Sequence, residues 1–279
     1  MDCIRVGISP CPNDTFAFYH LLEKRQDLPF EIDLVIADVE ELNRKVKQGG
    51  LDISKVSFHL FGHVLDRYRL LRSGSALGRG CGPLILTSKP CSVASVASAT
   101  TALPGMYTTA SMLFRLFMAE SGFRHVDTVH MLFSEIPHAV AVGNVHAGVV
   151  IHETRFTFGK HGLHCLQDLG QWWENSTGQP IPLGGIVAKR SLAHDKVELF
   201  DAALRESIEY AYAHVDEALA FAARYAQEMA PEVMKQHIAL YVNEFTADIG
   251  EEGMAAVAYM LETGRRHGIL PDIHLQELT

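Results

Sequence analysis

The same order of elements occurs twice in this chain, and it restricts the possible fold more than any other feature of the sequence. In each copy a helix begins near a glutamate and ends at a glycine, and a strand with polar residues at its carboxyl end follows. The first helix begins near Glu40-Glu41 and is ended by Gly49, and the second begins near Glu135 and is ended by Gly143. The strands cover residues 51–57 and 146–151. An α/β plan used twice predicts two lobes that face each other across a cleft.

Two changes in sequence character set the expected boundaries of these lobes. Small polar residues begin at Lys89, and a proline-stiffened stretch leads into a predicted strand at Ile186. We therefore expect a larger α/β lobe built from residues 1–88 and 186–279, and a smaller α/β lobe built from residues 89–185. The C-terminal helices, predicted near 195–229, after Pro231 and near 249–267, are expected to pack on the fold without a chemical role.

A glycine-rich stretch precedes the expected boundary at residue 88. Gly78, Gly80 and Gly82 are spaced G-x-G-x-G, and the helix that should follow a dinucleotide-binding loop is missing. This pattern indicates a segment that crosses between the lobes and comes close to another part of the chain. A plain glycine-rich turn is the alternative.

The stretch Ser9–Phe18 is the first candidate ligand site. It follows a predicted strand, Ile4–Ile8, contains two prolines, and leads into an apolar helical pattern. Asn13 or Asp14 is placed to cap that helix, which leaves N–H groups of the first turn free to bind a carboxylate or hydroxyl. We therefore expect Asn13 and Asp14 in a binding site, with an ordinary strand-to-helix turn as the alternative.

Polar groups at two strand ends and one helix start form the second set of candidates. Lys55 and Ser57 end one predicted strand, and Thr109 belongs to a hydroxyl-rich helix start. His152 ends another strand beside Glu153, a carboxylate that could orient its ring. An imidazole with an unperturbed pKa near 6.5 can act as a base near neutral pH. A structural histidine is the alternative.

Composition narrows the class of partner. The chain has 279 residues and a formal net charge of −9, with a pI of about 5.9. Nucleic acid or an anionic membrane would require a basic face, so we expect a small-molecule partner and neither of these. The sequence has no run of about 18 to 20 apolar residues and no signal-peptide pattern, which predicts a cytoplasmic protein. It leaves open whether the chain forms a homodimer.

The sequence does not contain the motifs of several common kinds of active or metal-binding site. The five cysteines include no C-x-x-C pair, so reduced thiols are expected, and Cys11 is interpreted as a small packing residue rather than a nucleophile. His152 and Glu153 begin like the zinc motif H-E-x-x-H, but Phe156 stands where the second histidine should be. His161, His164 and Cys165 lie close together without an obvious fourth ligand. Neither G-x-S-x-G nor a P-loop occurs.

Five stretches together resemble the 1,4-dihydroxy-6-naphthoate synthase family of the futalosine route to menaquinone. They are SPCPNDTFAFYH at 9–20, DISKVS at 52–57, GRGCGPL at 78–84, HAGVVIHETRFTF at 146–158, and LGQWWENSTGQPIPLGGIVAKR at 169–190. They cover the N-terminal two thirds of the chain in order. The C-terminal helices are less diagnostic of the family.

The resemblance implies a two-lobed fold similar to type 2 periplasmic binding proteins. It also implies a lyase reaction, cleavage of cyclic dehypoxanthine futalosine to 1,4-dihydroxy-6-naphthoate and dihydroxyacetone, without a metal or organic cofactor. In the family's terms His152 matches the proton acceptor, and the segments Lys55-Val56-Ser57 and Thr109-Ala110 match the substrate-binding residues.

Three other functions are weighed against this one. A non-catalytic solute-binding protein would share the fold but normally needs export. Chorismate dehydratase, from the same pathway, lacks the SPCPNDTF opening. A ligand-sensing regulator would need a DNA-binding segment, for which the strand beginning at Ile4 leaves no room.

Overall fold

The computed structural model describes residues 2–25, 27–226, 230–272 and 278. Its strands form two sheets. In chain order the strands are β1 (Asp2–Ile8), β2 (Phe30–Ile36), β3 (Ile53–Ser57), β4 (Tyr68–Leu70), β5 (Ala76–Gly78), β6 (Leu84–Thr87), β7 (Thr101–Leu103), β8 (Thr128–His130), β9 (Ala147–Val150), β10 (His164–Asp168) and β11 (Ile181–Lys189).

The helices lie between the strands and make up most of the chain after the last of them. In chain order they are α1 (Pro12–Glu23), α2 (Val39–Lys47), α3 (Phe58–Phe61), α4 (Val93–Ala97), α5 (Thr109–Glu120), α6 (Ile136–Ala141), α7 (Thr154–Thr157), α8 (Leu169–Thr177), α9 (His194–Ala213), α10 (Val215–Ala223), α11 (Pro231–Tyr241), α12 (Glu244–Ala247) and α13 (Gly250–Arg266).

The first sheet has six strands in the order β2-β1-β3-β11-β4, with β5 also paired to β11. Strand β1 runs parallel to β2 and β3, whereas β11 is antiparallel to β3. Every residue of β3 is buried, which is typical of a central strand covered on both faces. Because Val6 pairs with Ile53 and Gly7 with Ser54, the loop after β1 lies beside the carboxyl end of β3.

The second sheet has five strands in the order β10-β6-β9-β7-β8. Strands β7 and β9 are parallel, with Thr101 opposite Ala147 and Ala102 opposite Gly148. The segments that follow β7 and β9 therefore leave the sheet at the same edge. This arrangement repeats in the second sheet what β1 and β3 do in the first.

The chain passes between the sheets twice, and the two passages come together. Residues 79–83 connect β5 of the first sheet to β6 of the second, and residues 178–180 lead from α8 back to β11. Arg79 in the first passage donates to the carbonyl of Gly178 in the second at 3.2 Å. A side-chain carbon at Gly82, also in the first passage, would lie only 2.3 Å from the backbone of Gly170 at the start of α8. The close approach predicted for the glycine-rich stretch is therefore present, and only glycine fits it.

The strand pairing differs in detail from the expected lobe limits. Strand β6, at residues 84–87, pairs in the second sheet although the larger lobe was expected to extend to residue 88. Strand β11 begins at Ile181, five residues before the expected return at Ile186. Apolar alternation is too short in β6 to show which sheet it joins. The lobe division at residues 88 and 186 stays a prediction.

Most helices after β11 cover the first sheet. Helices α9, α10 and α11 pack against α1, while α13 packs against β11 and α3. The region predicted as helical at 195–229 contains α9 and α10, and residues 227–229 lie outside the described part of the chain. The chain after β3 forms only the four-residue helix α3. Strands β4 and β5 were not predicted, since three residues are too few for a periodic pattern.

The start of α1 differs from the predicted cap at Asn13 or Asp14. The residue before the helix is Cys11, which makes no side-chain capping bond, and Pro12 occupies the first helical position. Proline fixes its own φ near the helical value and has no N–H to satisfy, so it favours this earlier start. Asn13 and Asp14 therefore lie inside the first turn.

Replacing Gly82 with alanine should destabilise the contact between the first passage and the start of α8. The added methyl group must displace backbone at Gly170, and overpacking of this kind costs about 1–3 kcal/mol. Gly159→Ala is the matched control, because nothing lies within 4 Å of a side-chain carbon there. Calorimetric melting should show a lowered midpoint for Gly82→Ala and little change for Gly159→Ala. Equal midpoints would contradict the close approach.

Candidate active site

One cavity is lined by residues that follow the parallel strands of both sheets. Its lining includes every residue predicted to catalyse or bind: Asn13, Asp14, Lys55, Val56, Ser57, Thr109, Ala110 and His152. The remaining lining residues are Ser9, Val39, Ala76, Cys81, Pro83, Thr108, Ile151, Leu183, Gly184 and Tyr241. The predicted residues, which are up to 139 positions apart in sequence, are thus brought together by the two strand pairs.

A buried ion pair lies on the first sheet's side of the cavity. The Lys55 ammonium is 2.7 Å from Asp14 Oδ1 and also donates to the Gly74 carbonyl at 3.2 Å. Asp14 further accepts hydrogen bonds from the Ser9 hydroxyl, the Ser9 N–H and the Asn13 side-chain amide. The carboxylate is therefore fully engaged by protein donors, as a buried charge requires. Asp14 lines the cavity but has little accepting capacity left for a ligand.

Ser57 is held by Asn43, which the sequence analysis did not select. Asn43 accepts the Ser57 N–H at 3.0 Å, and its side-chain amide donates to the Ser57 hydroxyl oxygen at 3.2 Å. Within the described residues the Ser57 hydroxyl has no acceptor for its own proton, which it can donate to a ligand. No motif could have identified Asn43, since it lies on the second turn of an ordinary amphipathic helix.

The start of α5 supplies the donors from the second sheet's side. Thr108 caps the helix through its side chain, which accepts from Ser111 N. The Thr109 hydroxyl donates to the Leu183 carbonyl at 2.6 Å, so it offers a ligand only acceptor capacity. The N–H groups of Thr109 and Ala110, in the first turn, have no partner within the helix by geometry. They make this end of the cavity suited to a carboxylate.

Contacts from the first sheet's lobe fix the loop before α5. The Glu40 carboxylate accepts the N–H groups of Met106 and Tyr107. His59 Nδ1 donates to the Thr108 carbonyl at 3.1 Å, and burial lowers the pKa of His59 to about 3, so its ring stays neutral. A buried neutral imidazole can hold this bond over the whole physiological pH range. The position of the α5 start is therefore set by two residues outside its own lobe.

His152 occupies an unusual backbone conformation at the edge of the cavity. Its φ is +58°, and no other non-glycine residue in the described chain has a positive φ. This region is disfavoured for residues with a side chain and is often found at functional sites. The turn lets the chain leave β9 and enter α7 within three residues while the imidazole faces the cavity.

The neighbours of the His152 ring differ from the expected carboxylate. Across the described residues, no hydrogen bond joins the Glu153 side chain to the ring, although Glu153 is the next residue and immediately precedes α7. Instead, the Cys11 sulfur lies 3.4 Å from Nδ1 and the Phe133 ring lies edge-on at 4.9 Å between centroids. No basic residue lies near Cys11 in the sequence. The imidazole that contacts its sulfur belongs to His152, 141 residues further along the chain.

Cys11 remains a thiol in this setting. Burial, and then the charge of Asp14, raise its pKa well above the ordinary value. A protonated thiol is a poor nucleophile, which favours the interpretation of Cys11 as a packing residue. Its S–H can donate a weak hydrogen bond to the imidazole and so limit the ring's rotation.

The structure was also searched for a metal site and for membrane-spanning helices. In the part of the chain that the structure describes, no group of three or more His, Cys, Asp or Glu side chains is placed to hold a metal ion. The cluster of His161, His164 and Cys165 considered from the sequence is therefore not assembled into a metal site. None of the described helices is both long enough and apolar enough to cross a membrane.

The fold is that of the periplasmic binding proteins. An alkanesulfonate-binding protein from Xanthomonas axonopodis, solved with MOPS bound, superposes with a TM-score of 0.72 at 15% identity, covering 98% of this chain and 95% of that one. A crystal structure of an Archaeoglobus fulgidus protein superposes with a TM-score of 0.89 at 34% identity, covering 96% of this chain and 98% of that one. The predicted two-lobed α/β class is thereby confirmed.

Comparison with protein families identifies the family within this fold. The family described as menaquinone biosynthesis matches residues 4–266, and the chain belongs to this family. A Thermus thermophilus protein named 1,4-dihydroxy-6-naphthoate synthase is 43% identical over 269 residues, which cover 96% of each sequence. A Streptomyces coelicolor protein of the same name is 44% identical over 271 residues, covering 97% of this chain and 95% of that protein. The family expected from the sequence is confirmed.

Removing the Lys55 ammonium from the buried ion pair should lower the free energy of unfolding. Lys55→Met leaves the Asp14 carboxylate buried without its ammonium partner, a change that costs about 3–5 kcal/mol. Lys45→Met is the matched control, since Lys45 pairs with Glu41 on an exposed helix face and such pairs contribute about 1 kcal/mol or less. Urea unfolding should separate the two variants. Equal losses would mean that the Asp14–Lys55 pair is solvated in solution.

Proposed function

We propose that this protein is a 1,4-dihydroxy-6-naphthoate synthase, a lyase that cleaves cyclic dehypoxanthine futalosine to 1,4-dihydroxy-6-naphthoate and dihydroxyacetone. The observation that carries the proposal is that all eight residues selected from the sequence line one cavity. The relatives that carry this name match nearly the whole chain, which favours the synthase over a solute carrier or chorismate dehydratase.

His152 has the role of general base in this proposal. The reaction begins when its imidazole removes a proton from the substrate, and the released electron pair drives cleavage of the carbon–carbon bond. A positioned base of this kind contributes about 10² to 10⁴ in rate. The strained backbone at His152 and the sulfur of Cys11 support the role, because both restrict where the ring can point.

The substrate is held from both sides of the cavity. The free N–H groups of Thr109 and Ala110 suit the carboxylate that the naphthoate product retains. The Ser57 hydroxyl, oriented by Asn43, donates to a substrate oxygen. Lys55 contributes positive charge near the cavity while remaining paired with Asp14. Apolar lining from Val56, Ile151 and others limits access of water and strengthens these polar contacts.

The direct test is to incubate the purified protein with cyclic dehypoxanthine futalosine and follow products by chromatography with mass detection. Formation of 1,4-dihydroxy-6-naphthoate that depends on the enzyme supports the proposal, and the same rate after treatment with a chelator would fit catalysis by side chains alone. Tight binding without turnover would instead indicate a carrier or sensor. Turnover of chorismate would identify the sister enzyme.

The variant His152→Gln should lose about 10²-fold to 10⁴-fold in kcat, because it removes the base but keeps a polar side chain of similar length. Binding of the substrate, measured by titration calorimetry, should change little. His194→Gln, on an exposed face of α9, is the control and should retain full activity. A His152→Gln enzyme with normal kcat would rule out the assignment of the base.

A further inference from the structure

Helix α11 brings Tyr241, a residue that no sequence motif indicates, into the lining of the cavity. Tyr241 is the last residue of α11 and lines the cavity together with His152. Its side chain is almost fully buried, with 8% of the residue exposed. The position is fixed from the next turn, where the Thr246 hydroxyl donates to the Tyr241 carbonyl and Asn243 donates to Leu77 in β5.

The Tyr241 hydroxyl is a donor without an acceptor. No hydrogen bond joins it to any residue described in the structure, although buried tyrosine hydroxyls are normally paired. The other cavity groups are engaged differently: the Thr109 proton goes to Leu183, and Asp14 is saturated by donors. Tyr241 and Ser57 are therefore the side-chain hydroxyls of the cavity lining whose protons remain available to a ligand within the described chain.

The surroundings keep the Tyr241 phenol protonated. Burial is the main reason that its pKa lies well above the ordinary value, and the nearby Cys81 thiol shifts it in the same direction. A neutral phenol in a cavity with apolar walls is a fixed dipole, and such a donor is most effective when charge develops close to it in a region of low dielectric.

A second ring from α11, that of His237, packs against the ring of Tyr241. His237, one turn earlier, lies 4.5 Å from the Tyr241 ring and 6.1 Å from the His152 ring, measured between centroids. It is fully buried, and neither of its ring nitrogens has a partner among the described residues. Burial and the neighbouring His152 lower its pKa well below the ordinary value, so the ring is neutral. No charge from His237 competes with the base or the phenol.

We propose that Tyr241 is a further catalytic residue, which donates its O–H to the substrate oxygen that becomes negative when His152 removes a proton. This inference rests on the proposed function. The substrate proton passes to the His152 imidazole, and the electron pair that it leaves behind drives cleavage of the carbon–carbon bond. The pair of the broken bond is taken up by that oxygen, and the phenol keeps its own proton. Base and donor thus act on one substrate from the strand β9 edge and from helix α11.

The test compares Tyr241→Phe with Tyr259→Phe. The first change removes a single oxygen atom and keeps the ring that packs on His237. Tyr259 is 40% exposed and lies outside the cavity, so its variant is the matched control. For Tyr241→Phe we expect kcat to fall about 10²-fold, the usual effect of removing one donor to a developing oxyanion, while KM stays within about threefold. The control variant should match the wild type.

This pattern separates catalysis from structure. A donor that acts mainly in the transition state lowers kcat and kcat/KM together, whereas a misplaced helix α11 would raise KM and lower the melting midpoint as well. A Tyr241→Phe enzyme whose kcat lies within threefold of the wild type, or one that loses activity only through KM, overturns the inference.

The outcome is also distinguishable from failure of the proposed function. Active wild type with an unaffected Tyr241→Phe variant overturns the role of Tyr241 alone, whereas inactive wild type overturns the synthase proposal. In the second case the Tyr241→Phe variant is inactive as well, and the inference is overturned together with the proposed function on which it rests.

Discussion

The site depends on two pairs of parallel strands, one pair in each sheet, whose carboxyl ends face the same cavity. The β1–β3 pair brings the loop before α1 beside Lys55 and Ser57, and the β7–β9 pair brings the start of α5 to the same edge as His152. Parallel pairing forces the chain to return through a helix, so helix N-termini collect at these edges. The fold therefore brings hydrogen-bond donors and the His152 imidazole together without any local motif that contains them all.

Polar groups that do not touch the cavity hold those that do. Asn43 and Glu40, one turn apart on α2, respectively orient Ser57 and fix the loop that leads into α5. Helix α2 therefore links two cavity-lining segments, one in each sheet's lobe, that are predicted to bind substrate. Burial raises the pKa of Glu40, although the two backbone N–H groups partly oppose that shift. A conformational change at either segment would have to break bonds to the same helix.

The features that could be predicted from the sequence are those set by a local residue pattern. Strand ends with polar residues, and glycines that end helices, placed Ser57 and His152 correctly in the cavity. The helix start at Pro12 was missed because the cap rule favours Asn13 or Asp14, whereas proline geometry decided the position. Tyr241 was missed because α11 has an ordinary amphipathic pattern. Its role depends on packing against α1 and β5, which are more than 160 residues away in sequence.

The proposed mechanism requires one cavity with the His152 base on one side and substrate donors on the other. A crystal structure of the His152→Gln variant with cyclic dehypoxanthine futalosine bound would test this arrangement. We expect the compound to lie between Ser57 and the start of α5, with its reacting carbon about 3 to 3.5 Å from the side chain at position 152 and an oxygen within hydrogen-bond distance of Tyr241. A compound bound outside this cavity, or with its reacting carbon turned away from position 152, would rule out His152 as the base.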